Sequence, residues 1–349
     1  MAVLEKPNTN KLDPSPQNKV SFPCMESPAF RFLLAQERRL LKDILIRTPY
    51  ALGDCVCAEP AIRFAANNFK ECKISVVTPF PELYRHIPLK KVYNTKDGNP
   101  DWDKYWVHEC YHAAEALHGE FIHNFNMSID DYIAVCLFKG MIPVSDRNIV
   151  LQPTDIELAS IPPQQVVIHA GKHWISKTFP KKWWDEVIKQ LINEKIAVAL
   201  VGAKSEDKRG YVEVNAEGCL DLRDKLTVMQ SVGVLQRADV VLSNDSAPYH
   251  IAASGTAEIG VFSTVRHFDF IGHWRPMIDY PQANEMFSSR NNQWNYKIEN
   301  LAKGQMWQNV DTQFGRNGAK YDVIDFQTLM SWLPTPEEVA AWALSKLGH

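Results

Sequence analysis

Short apolar runs alternate with longer amphipathic stretches along this chain, and the alternation occurs twice. In the first round, residues 44–48 form an apolar run that predicts a strand, and residues 54–69 carry the spacing of a helix. Residues 73–78 predict a second strand, 105–108 a weak third, and 129–139 a helix. A stretch punctuated by Pro143, Pro153, Pro162 and Pro163 then interrupts the pattern and reads as a linker. In the second round, strands are expected at 165–169, 196–202, 219–222, 240–243 and 257–263, with helices at 181–193, 227–237 and 248–254. Strands that alternate with helices predict parallel sheets. The expected fold is therefore α/β, with two Rossmann-like units facing a central cleft.

The expected divisions follow the same pattern: an extension over residues 1–42, a first unit over 43–160, a second over 164–333, and a terminal helix over 335–349. The extension is rich in Pro and Asn at its start, and places Phe30, Leu33, Leu34, Leu40 and Leu41 at helical spacing over residues 26–41. Residues 266–333 are rich in Asn, Gln and Trp and show little periodicity. Thr335 followed by Pro336 signals the cap and first position of the last helix, which is expected to pack back on the first unit.

Composition narrows the class. The chain has 349 residues, enough for two cores, and a formal net charge of −3 gives no global field toward nucleic acid. Its seven cysteines include no CxxC pair, so reduced thiols in a cytoplasmic protein are expected and no metal site is assigned. No apolar run reaches the 18 residues of a membrane span, and the N-terminus lacks the apolar core of a secretion signal. Asp101 and Asp103 have the spacing of a metal-binding DxD, but follow Asn99-Pro100 in a loop instead of a strand. Neither GxGxxG after the first strand nor a P-loop is present, which removes most support for classical dinucleotide or P-loop binding.

Four segments carry chemistry. In Arg47-Thr-Pro-Tyr-Ala-Leu-Gly53-Asp54, Gly53 allows a tight turn, and Asp54 falls near a helix N-terminus, which favours its ionised form. Such a carboxylate can take a proton from a sugar hydroxyl, although taken alone it reads more readily as a helix cap. In Val166-Val-Ile-His-Ala170-Gly171, the small residues let a backbone approach a ligand, and Lys177 downstream supplies a compact cation for phosphate. Gly202 closes a strand, and Glu206 in the next loop is placed to hold ribose hydroxyls. Finally Asn244-Asp245-Ser246-Ala247-Pro-Tyr-His250 joins an apolar strand to a helix, with backbone amides near Ser246 and Ala247 aimed at a diphosphate and His250 on the face of Ser246.

Taken in order, Leu52-Gly-Asp with Pro60-Ala61, Lys177-Thr-Phe-Pro180, Glu206, and Asn244-Asp-Ser with His250 resemble the motifs of glycosyltransferase family 9, the heptosyltransferases of GT-B fold. The resemblance spans roughly residues 44–265. It implies Asp54 as general base, Lys177 on the donor diphosphate, Glu206 near the ribose, and Asp245, Ser246, Ala247 and His250 in a donor-binding segment. Ala247 stands where the family pattern has Gly, and Phe262-Ser-Thr-Val where it has F-G-P-T. The implied activity is metal-independent, inverting transfer from a nucleotide-diphospho-sugar, ADP-heptose by family default, with no cofactor. The acceptor is left open among a glycan, a lipid-linked glycan, a protein and a modified nucleic-acid base. A sugar-nucleotide epimerase or hydrolase of the same fold, and a non-catalytic nucleotide-sugar-binding protein, are the alternatives.

Overall fold

A computed structural model describes residues 43–70, 72–98, 100–110, 129–138, 140–159, 161–171, 181–204, 214–262, 278–279 and 334–349. The expected helix at 26–41, most of region 266–333, Lys177 and Glu206 lie outside them. The first round comprises β1 (Asp43–Arg47), α1 (Leu52–Asn68), β2 (Lys73–Thr78), β3 (Lys91–Asn94), β4 (Trp106–Glu109) and α2 (Ile129–Phe138). After a short α3 (Asp155–Ala159) come β5 (Val166–His169), α4 (Lys181–Asn193), β6 (Val198–Leu200), β7 (Leu220–Asp221), α5 (Val228–Gln236), β8 (Val240–Asn244) and α6 (Ala247–Ala252). Strands β9 (Glu258–Phe262) and β10 (Ile278–Asp279) and the terminal α7 (Pro336–Lys346) complete the described elements. Among the described residues, no helix is long and apolar enough to cross a membrane.

Two sheets form, and every pairing in them is parallel. The first has the order β3-β2-β1-β4 and the second β10-β9-β8-β5-β6-β7. In both, the chain starts at a central strand, winds outward one way, then crosses over to its other side. That reversal is the doubly wound topology, and it opens a crevice beyond the carboxyl ends of the two strands at the switch point. The switch points are β1/β4 and β5/β8.

Period-two alternation divides the second sheet between two cores. Val167, Ala199, Val241 and Ile259 belong to a cluster that continues through Tyr249 and Ala252 to Cys57 and Ala61 of α1. Val166, Ile168, Val198, Leu200, Val240 and Leu242 face Trp183, Trp184 and Val339. The tryptophans pack edge-on, 4.8 Å apart between centroids, as core residues should. Helix α1 is buried on nearly every side, with Cys55, Val56, Cys57 and Ala58 all at 0% exposure. A helix so enclosed packs against several partners at once, here the first sheet, α2 and α6.

Two features depart from expectation. Helix α7 has the expected Thr335 cap, completed by a reciprocal bond that the Thr335 amide donates to the Glu338 carboxylate, but it packs on α4 of the second unit. Its Val339, Ala340 and Ala343 fill the surface beside Trp184, and Trp342 lies over Gly260 of β9. The Pro-punctuated linker is a docked strap. It buries Ile142, Ile149, Leu151 and Ile161. Arg63 of α1 donates to the carbonyls of Asp146 and Asn148, and Gln236 of α5 to that of Leu151. Glu59, fully buried in α1, accepts from the strap amide of Val150 at 2.8 Å and from Arg63 at 2.7 Å.

Candidate functional site

The carboxyl end of β1 leads into α1 through Thr48, Pro49, Tyr50 and Ala51. The helix cap is Ala51, which supplies no side-chain bond, so Asp54 lies within the first turn and is not the cap. Two buried groups pin this turn. The Cys55 thiol donates to the Pro49 carbonyl at 3.0 Å, and the Tyr84 hydroxyl donates to the Cys55 carbonyl at 2.6 Å. Tyr50 projects into solvent at 63% exposure, with the Arg47 guanidinium over its ring and bonded to its hydroxyl.

The second sheet presents its own switch point. The Asn244 side-chain amide donates to the Ala170 carbonyl at 3.0 Å, bridging the ends of β8 and β5. The Asp245 amide donates to the Phe262 carbonyl at 2.9 Å. Ser246 caps α6 without a side-chain bond to the helix, because its Oγ lies 3.0 Å from His169 Nδ1 and donates to the Asn244 carbonyl at 3.2 Å. Its hydroxyl is thereby turned toward β5. Gly202, with φ of 101°, abuts the His169 ring from the end of β6. Ala170 and Gly171 are buried in the same corner.

The two ends meet. A Cβ on Gly53 would lie 3.0 Å from His250 Cδ2 and 3.3 Å from Ala247 Cα, so a larger residue would have to push α6 back by a few tenths of an ångström. One site thus collects Gly53 and Asp54 from the first unit and Asp245, Ser246, Ala247 and His250 from the second. His250 Nε2 stands 3.9 Å from Asp245 Oδ1. Its ring packs on Tyr249 at 4.7 Å between centroids. Sequence reasoning did not assign Cys57, whose Sγ lies 3.3 Å from His250 Nδ1, nor the buried Asp130 of α2, whose carboxyl, after burial itself, helps to hold that thiol well above its ordinary range. Nothing in a single chain signals a pairing across so long a separation. His169 had a visible signal, its place at the end of β5, but no evident partner.

Asp101 and Asp103 are exposed on a single turn, and Asp101 is paired with Lys104 at 2.9 Å. Among the described residues, no group of three or more His, Cys, Asp or Glu is arranged to hold a metal ion. The six described cysteines are free thiols.

Burial makes the first turn of α1 sensitive to alkali. Desolvation pushes the Cys55 thiol from 9.0 up to about 11, and pushes the Tyr84 phenol well above its ordinary range. The unfolded chain releases these protons before the folded one does, so it binds fewer protons as pH rises. Stability should therefore be intact below about pH 9 and fall above it, by about 1.4 kcal/mol per pH unit for each such group. Urea unfolding at about pH 8 and about pH 10 measures this, and Cys55→Ser should shallow the slope. A stability independent of pH across that range would contradict the thiol assignment.

Residues 144–300 match the model of glycosyltransferase family 9 (heptosyltransferase). Among solved structures, ADP-heptose LPS heptosyltransferase II of E. coli is 18% identical with a TM-score of 0.51, covering 78% of this chain and 99% of that one. The dodecameric, iron-containing heptosyltransferase TibC of enterotoxigenic E. coli, solved with ADP-D-β-D-heptose, is 14% identical with a TM-score of 0.59, covering 88% of this chain and 76% of its own. A family 9 glycosyltransferase of Veillonella parvula is 11% identical with a TM-score of 0.59, covering 88% and 97%. These structural likenesses are of fold. A search of curated protein sequences finds no match.

Proposed function

We propose, from the match of residues 144–300 to the model of glycosyltransferase family 9, that this chain is a member of that family and moves a sugar from a nucleotide-diphospho-sugar to an acceptor hydroxyl with inversion at the anomeric carbon. The observation that carries this reading is the contact of Gly53 with Ala247 and His250. It brings the first turn of α1, which carries Asp54, close to the polar turn that follows β8. ADP-heptose is the first donor to try. The acceptor is a glycan, a lipid-linked glycan, a protein or a modified nucleic-acid base.

In the proposed reaction, the second unit, residues 164–333, holds the nucleotide and the first unit, residues 43–160, presents the acceptor. The acceptor oxygen attacks the anomeric carbon, Asp54 takes its proton, and the bond to the leaving diphosphate breaks. Negative charge grows on that diphosphate. Lys177 and the amides beside Ser246 and Ala247 counter it, more in the transition state than in the ground state. Glu206 holds the ribose, and Gly202, Ala170 and Gly171 keep backbone, not side chain, against the donor. The chemistry requires no metal ion, so transfer should survive excess EDTA.

The experiment is a thermal-shift screen of nucleotide sugars followed by transfer from the donor that stabilises most. A donor at 100 times its Kd should add about 2.7 kcal/mol to stability. Product must appear only with an acceptor. A free sugar or an epimer formed without one would instead identify a hydrolase or epimerase, and tight binding with no product from any acceptor would identify a binding protein.

A further inference from the structure

The ladder between β5 and β8 runs from Val166 opposite Val240 to His169 opposite Ser243, and it stops there. The crevice of this switch point opens beyond that last pair. Asn244 is the next residue of β8, and the amide that follows it, on Asp245, donates away from β5, to the Phe262 carbonyl of β9 at 2.9 Å. The Ala170 carbonyl, one step past β5, receives a side chain: the Asn244 amide nitrogen donates to it at 3.0 Å. The Asn244 backbone carbonyl works in the same corner. It accepts from Ser243 Oγ at 2.8 Å and from Ser246 Oγ at 3.2 Å. Ser246 Oγ also lies 3.0 Å from Nδ1 of His169, the residue before Ala170. A loop of contacts thus closes from Asn244 to Ala170, along the chain to His169, and through Ser246 back to Asn244. Every member is buried, Asn244 completely.

We propose that Asn244 is a positioning residue for the donor: its side chain holds the Ala170–Gly171 backbone and the Asp245–Ser246 turn at one fixed separation across the switch point. The way round of the amide follows from its partner. Turned over, it would set Oδ1 against the Ala170 carbonyl oxygen, acceptor against acceptor. With Nδ2 on Ala170, Oδ1 is buried and has no hydrogen-bond partner among the described residues. A buried acceptor without a donor costs stability. An amide kept fully buried with its oxygen unpaired therefore serves something besides stability, and the place it occupies says what.

The contacts proposed for the donor come from both strand ends, Ala170 and Gly171 on one side and Asp245 and Ser246 on the other. The sheet does not set their spacing, because the ladder has ended before either segment begins. The bond from Asn244 to Ala170 is the first tie beyond the ladder, and it sets that spacing to one hydrogen bond's tolerance. This inference rests on the glycosyl-transfer reading for its effect on donor binding, but the bond to Ala170 does not depend on that reading.

The test replaces the amide, in the full chain, by a group of the same shape that donates only when protonated. The carboxyl of Asn244→Asp bonds the Ala170 carbonyl as an acid and repels it as a carboxylate. Burial and the neighbouring Asp245 favour the acid, so in the folded variant it should titrate above the ordinary Asp value of about 3.9. The stability that the bond supplies is then present at low pH and lost as pH rises. The urea midpoint of the variant should lie near that of wild type at about pH 5 and fall below it toward about pH 8. Calorimetric titration with ADP should follow the same course: a Kd within about threefold of wild type at about pH 5 and roughly tenfold weaker at about pH 8, the worth of one buried hydrogen bond. Taking the ratio to wild type at each pH removes whatever His169 and His250 contribute to both proteins. Asn244→Ala, neutral and unable to donate, should weaken ADP roughly tenfold at both pH values, which separates loss of the bond from repulsion between a carboxylate and the phosphates. A urea gap that does not change with pH overturns the bond to Ala170. Wild-type ADP affinity in Asn244→Ala overturns the positioning role. Should neither ADP nor any nucleotide sugar bind the wild type, the transfer reading fails and the donor role with it, while the urea gap still decides the bond. If Asn244→Asp folds at neither pH, Asn244→Ala decides the role alone, weakened ADP binding supporting it and wild-type binding overturning it.

Discussion

Asp54→Asn is expected to reduce transfer by a factor on the order of 10²–10⁴, the range that a positioned general base commands, while changing donor affinity by less than about twofold. The substitution preserves volume, so α1 should keep its first turn. That turn is also held by Cys55 on the Pro49 carbonyl and by Tyr84 on the Cys55 carbonyl. Nor does Asp54 cap the helix, since Ala51 holds that position. The capacity that Asn lacks is basicity, and basicity is used only when the acceptor hydroxyl is deprotonated. Single-turnover kinetics with saturating donor isolate that step, and calorimetric titration of the donor isolates binding. Equal losses in both would mean that Asp54 is part of the donor site. An unchanged rate would remove it from the chemistry.

Much of this architecture was legible because local pattern and tertiary environment agree. The runs that form β2 and β8 are apolar and buried, and the helices between strands have one clear face, as in α4. The second-unit helix at Lys181–Asn193 and the strand at Lys73–Thr78 fall where periodicity put them. Strand β3 did not stand out, because Lys91–Asn94 is a half-exposed edge whose residues carry no alternation. The strap was read as a loose linker because prolines mark irregular backbone equally well whether it is free or docked. Its docking depends on Arg63, Gln236 and Glu59, which lie elsewhere in the chain. The terminal helix was assigned its cap correctly and its partner wrongly. A cap is a local bond between Thr335 and Glu338, whereas the choice between two packing surfaces is settled by shape around Trp183 and Trp184.

The candidate site divides along the same line. Glycines and acids at the ends of strands were readable because doubly wound sheets bind ligands there. The partners that fix their orientation were not. His250 was placed in the site by its distance from Ser246, yet the group that meets its Nδ1 is Cys57, separated from it by 193 residues. Ser246 was placed in the diphosphate cradle by its position before α6, and its hydroxyl is engaged by His169 and the Asn244 carbonyl.

Gly202→Ala should be a strongly damaging small substitution in the second unit, for two independent reasons. At φ of 101° any residue with a Cβ is strained, at a cost of about 1–3 kcal/mol. The new methyl would also lie 2.6 Å from His169 Cδ2 and 2.9 Å from Nε2, which is closer than atoms can pack. Because β6 is held in the sheet by β5 and β7, the ring has to move, and it takes with it the contact to Ser246. Losing a buried hydrogen bond adds about 1–3 kcal/mol and frees the hydroxyl that shapes the turn before α6. Stability should fall by at least about 2 kcal/mol, and donor affinity should fall with it. His169→Ala separates the two causes. Where the ring is absent the clash cannot occur, so Gly202→Ala in that background should cost only the backbone term, and the double variant should be more stable than the sum of the singles predicts. Strict additivity would assign the whole effect to backbone strain and break the proposed line from Gly202 through His169 to Ser246.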